Sequence, residues 1–277
     1  MYDKIQLGVT DVRKFIEFVK FKYGYDFKDY ALTSLRRRIQ KYMFLNNIPD
    51  VAQVLVKLEM AENFDKFLIE TSIEVTELFR DPPFWRVLRD DILPSLDKLY
   101  SKINVWIPDC STGDDIYSLL ILAHEINLTS KLHITATNIS DNILNNAKNP
   151  SYSMSKLELA QHNYQRFNDK GKLDNYIKLE PFSFSIDQRF VSNVNFVSHS
   201  LTDENLLGDY HIIISRNILL YFNSSMHDKI VSKFNSSLHR NGFMCLGTQE
   251  TIEFCKDVKR FTVYNQSESI YKKNDTL

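Results

Sequence analysis

The chain has 277 residues, of which 43% are hydrophobic and 25% are charged, so it can bury a sizeable core in one or two domains. Its 34 basic and 35 acidic side chains give a formal net charge of -1, which excludes a general attraction to nucleic acid or to an anionic membrane surface. Three cysteines in no regular pattern exclude a disulfide framework and a zinc site. This cysteine pattern predicts a cytoplasmic protein without a bound metal. No stretch of about 18 consecutive apolar residues occurs, so we expect no membrane insertion.

The first part of the sequence indicates a small helical domain. Apolar residues recur at three- and four-residue spacing over residues 12–19 and again over residues 51–58, which is the pattern of amphipathic helices. Asp50 precedes the second of these stretches and is a suitable helix cap. We therefore predict an all-helical domain over residues 1–74.

The helical pattern breaks at VTELFRDPPFW, residues 75–85. Two consecutive prolines cannot lie within a helix, although they can open one. We predict that residues 75–98 link the two domains and contain one entry helix, which ends or kinks near Pro94.

From Lys102 onward, short apolar strands alternate with helical stretches, which is typical of a doubly wound α/β sheet. Residues 212–214 are apolar in succession, as in a central parallel strand covered on both faces. We predict that residues 99–277 form a Rossmann-like domain. Residues 172–190 alternate apolar and polar side chains where a crossover normally holds only a helix, and we interpret them as a small insertion. The predicted strands cover residues 103–107, 132–137, 194–197, 210–214, 242–247, 260–263 and 268–271.

The loop PDCSTGDD, residues 108–115, joins the first strand of this sheet to the next helix. Doubly wound sheets bind ligands outside the carboxyl ends of their strands, and this loop is the usual place for a nucleotide-like cofactor. Because the loop departs from GxGxxG, it favours a small cofactor without phosphates. Asn138 ends the second strand, where such folds commonly place an acidic ribose ligand, and an amide accepts hydrogen bonds without the strength that a charge adds.

Four segments, in the correct order over nearly the whole chain, resemble the CheR family of methyltransferases. VTELFRDP at residues 75–82 resembles the family's TxFFR[DE] segment, and residues 106–118 resemble its W-x-AGCSTGEE-x-YS loop. SRNILLYF at residues 215–222 is similar to the family's CRNVLIYF signature. GYDF at residues 24–27, with the arginines that follow, is similar to the helical domain of the family. The resemblance implies a class I methyltransferase that uses S-adenosylmethionine and has a helical domain before the sheet.

The resemblance also implies roles for individual residues. Methyl transfer to a glutamate carboxylate requires positioning but no general base, because the carboxylate is already ionised at neutral pH. The implied catalytic residues are Arg80, Arg216 and Tyr221. The implied cofactor-binding residues, with Asp114 receiving the cofactor's amino group and Leu201 flanking the adenine, are Thr76, Arg80, Pro108, Cys110, Gly113, Asp114, Asn138, Ser200, Leu201 and Arg216.

The implied function is the methylation of glutamate side chains of a chemoreceptor or a related signalling protein. Four departures from the family pattern concern the cofactor pocket: PD for AG at residues 108–109, DD for EE at residues 114–115, Asn138 for an aspartate and Ser200 for an asparagine. The sequence therefore leaves open an alternative, a degenerate, weakly active or inactive relative that binds a signalling partner. The arginines at residues 36–38 suit a solvated helix face, whereas the resemblance to the family implies a surface for an acidic receptor helix, and the sequence favours neither.

Overall fold

The computed structural model describes residues 5–71, 77–191, 193–201, 203, 205 and 208–274. The chain divides into two compact units. The first contains Met1–Glu74 and Ile218–Ile230, and the second contains Val75–Asn217 and Val231–Leu277. In the part of the chain that is described, no helix has the length and apolar character needed to cross a membrane.

The first unit is helical, as the sequence predicted. Its helices are α1 (Val9–Tyr23), α2 (Leu32–Leu45), α3 (Val51–Lys57) and α4 (Ala61–Thr71). Asp50 caps α3, because its carboxylate accepts the backbone N–H of Gln53 at 2.9 Å. The core contains Phe15, whose ring centroid lies 5.0 Å from that of Phe67 and 5.8 Å from that of Phe27. The apolar stripes of these short helices are thereby buried against one another.

The segment Ile218–Ile230 packs in the helical unit, although the sequence assigned it to residues 99–277. The backbone N–H of Ala31 donates to the carbonyl of Tyr221 at 2.9 Å. Tyr30 and Phe222 form an antiparallel bridge, and their ring centroids are 4.8 Å apart. These partners are far apart in sequence, so no local periodicity could indicate that they pack together.

The second unit begins with a helix that the prolines open. Pro82 starts α5 (Pro82–Val87), a π-helical turn follows at Leu88–Ile92, and α6 (Leu93–Asp97) continues from it. Pro94 lies in the first turn of α6, next to the π-helical turn. Proline has no N–H to bond to the preceding turn, which accounts for the irregularity predicted near this residue.

The rest of the second unit alternates strands and helices. In chain order the elements are β1 (Ile103–Ile107), α7 (Asp114–Glu125), β2 (Leu132–Asn138), α8 (Asp141–Lys148), β3 (Tyr152–Ser153), α9 (Leu157–Phe167), β4 (Ile177–Leu179), β5 (Ser183–Ile186), β6 (Val194–Ser198), β7 (Tyr210–Ser215), α10 (Ser224–Ser237), β8 (Leu238–Leu246), β9 (Phe261–Asn265) and β10 (Ile270–Lys273). The last of the helices, α10, contains residues of both units.

Seven of these strands form one sheet in the order β6-β2-β1-β7-β8-β10-β9. The pairs from β6 to β8 are parallel, whereas β10 runs antiparallel to both β8 and β9. The predicted Rossmann-like class is confirmed, and every residue of the central strand β7 is buried. The strand predicted at residues 242–247 begins earlier, at Leu238.

A second, small antiparallel sheet has the order β3-β5-β4. Strands β4 and β5 lie in residues 172–190, the stretch interpreted as an insertion, and β3 adds a short strand that the sequence did not indicate. Tyr152 of β3 pairs with Phe184 of β5, and their ring centroids are 5.3 Å apart. This contact packs β3, the strand that follows α8, against β5 within the small sheet.

Candidate functional site

The loops after β1, β2 and β6 adjoin at one edge of the large sheet. β2 pairs in parallel with both β1 and β6, so the carboxyl ends of these strands face the same way. The N–H of Cys110 donates to the carbonyl of Thr137 at 2.9 Å, and the N–H of His199 donates to the carbonyl of Asn138 at 3.0 Å. These bonds fix three successive loops beside one another, at the edge where such sheets bind ligands.

The loop after β1 has an unusual backbone. Asp109, Ser111 and Gly113 have φ values of 50°, 44° and 84°, in the left-handed region that most side chains avoid. A Cβ at Gly113 would lie 2.8 Å from Cε2 of Tyr117 and 3.3 Å from the carbonyl oxygen of Ala147. Glycine is therefore required here by backbone conformation and by packing within the protein. Residues held in sparsely populated conformations cluster at functional sites.

Asp114 is buried at the start of α7, directly after this loop. The carboxylate of Asp114 accepts a hydrogen bond from the Thr112 hydroxyl. The backbone carbonyl of Asp114 accepts one from the Ser118 hydroxyl at 2.7 Å. A small cavity borders Asp114, Tyr152 and Lys156. Burial raises the pKa of Tyr152 well above its usual value, and the negative charge of Asp114 acts in the same direction. Asp114 and the neutral Tyr152 thus border the same cavity.

Asn138 ends β2 and is buried, with 3% of its surface exposed. Its side-chain oxygen accepts the backbone N–H of Ser140 at 3.0 Å, and its side-chain nitrogen donates to Oδ1 of Asp109 at 2.6 Å. The first of these bonds is local, since Ser140, the N-cap of α8, lies two residues further along the chain. The second joins the loop after β1 to the end of β2.

A second group of charged residues surrounds Arg216, which follows β7. Nη1 of Arg216 donates to the carbonyl of Arg80 at 3.0 Å and lies 3.7 Å from Oδ1 of Asp115, while Nη2 donates to the Asp81 carboxylate. The guanidinium also lies 4.4 Å from the ring centroid of Phe84, and the Arg216 side chain is only 1% exposed. Burial raises the pKa of the Asp115 carboxyl, and Arg216 opposes that shift. Arg216 is therefore enclosed by protein groups.

The backbone around Arg80 is held by several further contacts. The carbonyl of Arg80 also accepts the indole N–H of Trp85 at 2.9 Å, and the N–H of Phe79 donates to the Ser118 hydroxyl at 2.8 Å. Phe79 and Asp81, on either side of Arg80, have φ values of 54° and 52°. Positive φ is a strained conformation for a bulky side chain such as that of Phe79. Arg80 itself is half-buried.

The remaining predicted residues lie in several places. Pro108 and Cys110 are buried, and burial raises the pKa of the Cys110 thiol, so this thiol is a neutral packing group. Ser200 follows β6, its N–H donates to the Asp203 carboxylate at 3.0 Å, and Leu201 beside it is buried. Thr76 lies outside the described residues.

Tyr221 belongs to the helical unit, and its ring centroid there lies 4.3 Å from the guanidinium carbon of Arg38. This contact is within the helical unit, as is the backbone bond from Ala31 described above.

The structure thus brings the predicted residues of the second unit into two groups. The loops after β1, β2 and β6 contain Pro108, Cys110, Gly113, Asp114, Asn138, Ser200 and Leu201, and the second group contains Arg80 and Arg216. The predicted site residues did not include three carboxylates of these groups, Asp81, Asp109 and Asp115. The signal for Asp109 was present, since it replaces a family glycine in the same chain in which Asn138 replaces the family aspartate.

Comparison with known proteins identifies the family. Residues 74–270 match the family described as CheR methyltransferase, SAM binding domain, and residues 10–64 match CheR methyltransferase, all-alpha domain. The chain is 31% identical over 265 residues to Cher3 of Pseudomonas putida, which is assigned as a methyltransferase, covering 95% of this chain and 97% of that protein. It is 26% identical over 246 residues to a chemotaxis protein methyltransferase of Listeria monocytogenes, covering 87% and 90% of the two chains. The protein belongs to the CheR family of methyltransferases, whose cofactor is S-adenosylmethionine.

Proposed function

We propose that the protein transfers the methyl group of S-adenosylmethionine to glutamate side chains of a chemoreceptor or a related signalling protein. The observation that carries this proposal is the contrast between two arginines. Arg216 is enclosed and pairs with Asp81, whereas Arg80 is half-buried on a backbone that Arg216 and Trp85 hold in place. An arginine on a fixed backbone at this edge of the site is suited to bind an incoming carboxylate through two parallel hydrogen bonds.

The loop residues suit a cofactor that carries positive charge and no phosphate. Residues 108–115 contain three aspartates and no basic side chain. The Ser111 hydroxyl is buried and, within the described residues, lacks a hydrogen-bond partner, which supports a polar ligand at this loop. Under this proposal Asp114 binds the cofactor's amino group and Leu201 packs against the adenine.

Apart from supplying the methyl group, the reaction requires that residues of this chain bind and orient the acceptor. When bound, S-adenosylmethionine supplies an electrophilic methyl group. The acceptor carboxylate is already ionised at neutral pH, so Arg80 has only to orient it. Arg216 acts as a positioning residue, because its buried guanidinium holds the carbonyl of Arg80 rather than facing solvent. The further catalytic role that the family resemblance assigns to Tyr221 stays a prediction.

Exclusion of water favours this reaction. The positive charge of the cofactor's sulfonium and the negative charge of the acceptor carboxylate cancel as the methyl group is transferred. An environment of low polarity therefore stabilises the transition state relative to the separated charges. Phe79, next to Arg80 in the chain, and Leu201, in the loop after β6, are buried apolar side chains and supply such an environment.

The test is methyl transfer from radiolabelled S-adenosylmethionine to an acidic cytoplasmic fragment of a chemoreceptor. A glutamate methyl ester releases labelled methanol in base, which distinguishes it from a methylated amine. Arg80→Ala should lower kcat/KM by roughly 100-fold, because it removes the group that orients the acceptor. The matched control is Arg240→Ala, since Arg240 is exposed near the start of β8, at the opposite edge of the sheet.

Three outcomes would contradict the proposal in different ways. A base-stable label would exclude ester formation. Unchanged transfer by Arg80→Ala would remove the assigned role of Arg80. A protein that folds but binds no S-adenosylhomocysteine would instead favour a module that binds a signalling partner.

A further inference from the structure

We propose that Asp109 supplies the carboxylate that accepts the hydroxyl hydrogen bonds of the cofactor's ribose, and that Asn138 positions it. The inference rests on the cofactor binding in the proposed function. Nucleotide-binding sheets commonly hold the ribose with an acidic residue at the end of the second strand. Here that strand ends in Asn138, and the carboxylate at this place in the site comes from the loop after β1.

The orientation of the Asn138 amide is fixed by its neighbours. Its oxygen accepts the backbone N–H of Ser140 at 3.0 Å, so its nitrogen must point the other way, toward Asp109 at 2.6 Å. An amide can donate to Asp109, whereas a second carboxylate at the end of β2 would repel it at this distance. The amide at position 138 and the carboxylate at position 109 are therefore complementary.

The backbone at Asp109 accommodates the replacement of a family glycine. Its φ is 50°, in the left-handed region, which aspartate and asparagine tolerate better than most residues. The next residue, Cys110, still bonds through its N–H to the carbonyl of Thr137 at 2.9 Å, so the loop remains tied to β2. The side chain thus adds a carboxylate to the pocket while the loop keeps its contact with the neighbouring strand.

The chemistry of the pair suits a ribose diol. An ionised carboxylate is an acceptor at both of its oxygens, and Oδ1 of Asp109 accepts the bond from Asn138. Asp109 is half-buried, whereas Asn138 is 3% exposed. The more exposed member is thus the charged one, and hydrogen bonds to a charged acceptor are stronger than those to an amide. We assign the ribose contact to Asp109 and the orienting role to Asn138.

The experiment is calorimetric titration with two ligands, S-adenosylhomocysteine and its analogue that lacks both ribose hydroxyls. Asp109→Asn keeps the size and the tolerance of positive φ but removes the charge. We expect Asp109→Asn to lower the affinity for S-adenosylhomocysteine by roughly 10- to 100-fold and to leave the affinity for the analogue unchanged. The double exchange D109N/N138D returns the carboxylate to the end of β2, and we expect it to recover most of the lost affinity.

The outcomes separate this inference from the proposed function. If wild-type protein and Asp109→Asn bind S-adenosylhomocysteine equally, the inference is wrong while cofactor binding stands. An equal loss for both ligands would mean that Asp109 acts through the loop and not through the ribose, which also overturns it. If the wild-type protein binds neither ligand, the proposed function fails and this inference fails with it. Should Asp109→Asn not fold, Asp109→Gly, which restores the family residue, provides the same comparison.

Discussion

Arg216 donates a hydrogen bond from Nη1 to the backbone carbonyl of Arg80 at 3.0 Å, which ties the end of β7 to the segment before α5. The same guanidinium pairs with Asp81 and is covered by the ring of Phe84. The family resemblance assigned both arginines to catalysis, but here Arg216 supports the backbone of Arg80. One holds the backbone of the other, so their substitution should have different consequences.

Replacing Arg216 should lower the free energy of unfolding of the second unit. Arg216→Met removes the guanidinium that pairs with Asp81 and lies 3.7 Å from Asp115. Breaking a fully buried pair costs about 3–5 kcal/mol, and we expect about 2 kcal/mol here because these carboxylates are 34% and 27% exposed. Urea unfolding followed by tryptophan fluorescence reports on the second unit, which contains both tryptophans of the chain.

The exposed Arg240 again provides the control. Arg240→Ala should change the free energy of unfolding by less than about 0.5 kcal/mol. An equally small change for Arg216→Met would show that water solvates Asp81 and Asp115 well enough to replace the guanidinium.

The sequence predicted the parallel sheet well because its strands are buried on both faces. The first strand has the predicted bounds, Ile103–Ile107, and the apolar run at residues 212–214 lies within the fully buried β7. Local patterns also indicated helices where α1 and α3 occur, and the loop before α7. In each case the signal and the structure involve residues that are close in sequence.

What could not be predicted depends on residues that are distant in sequence. The bond between Asp109 and Asn138 crosses from one strand end to another, and the burial of Arg216 depends on Asp81 and Phe84. The packing of Ile218–Ile230 in the helical unit is of the same kind. A motif gives the residue type at each position, but the partner of a side chain follows only from the fold.

Substitution by alanine should lower the free energy of unfolding more at Gly113 than at Gly24. Both have positive φ, at 84° and 70°, but a Cβ at Gly113 would lie 2.8 Å from Tyr117 whereas nothing lies within 4 Å of one at Gly24. Gly24→Ala should therefore cost only the strain of the left-handed backbone, about 1 kcal/mol. Gly113→Ala adds overpacking and should cost about 2–3 kcal/mol. Urea unfolding followed by circular dichroism for Gly24→Ala and by tryptophan fluorescence for Gly113→Ala measures the two values. Equal costs would mean that Tyr117 moves aside freely.

Asp187 should make part of the stability dependent on pH under acidic conditions. Its carboxylate accepts the backbone N–H of Arg189 at 2.9 Å and pairs with the Arg189 guanidinium at 2.8 Å. Hydrogen bonds from Arg189 lower the pKa of Asp187 from 3.8 to about 2. Because the folded protein favours the ionised form, this contribution is fully present above the unfolded value and is lost as the pH falls from 3.8 toward 2.

The check on Asp187 is the difference in unfolding free energy between the wild-type protein and Asp187→Asn. This difference should shrink as the pH is lowered through that range, and a carbon NMR titration of the carboxyl group should give its midpoint directly. A difference that stays constant with pH, or a midpoint near that of an ordinary aspartate, would contradict the assigned role of Arg189.

The three arginines of α2 should separate into a structural residue and two that are available to a partner. Arg38 lies 4.3 Å from the ring centroid of Tyr221 and 5.4 Å from that of Tyr30, so Arg38→Ala should cost about 1 kcal/mol in the helical unit. Arg36 and Arg37 are exposed, and their replacement by alanine should leave stability within about 0.5 kcal/mol. Urea unfolding followed by circular dichroism measures both effects.

Substitution of Arg36 and Arg37 can distinguish a solvated helix face from a surface that binds an acidic receptor helix. If the acceptor docks there, the double variant R36E/R37E should raise KM for the receptor fragment roughly tenfold at low salt and leave kcat unchanged, because like charges oppose encounter but not chemistry. High salt should reduce the effect by screening the charges. The double variant R36A/R37A is the matched control for lost attraction without added repulsion. A KM that is the same for all three proteins at low salt would assign these arginines to solvation alone.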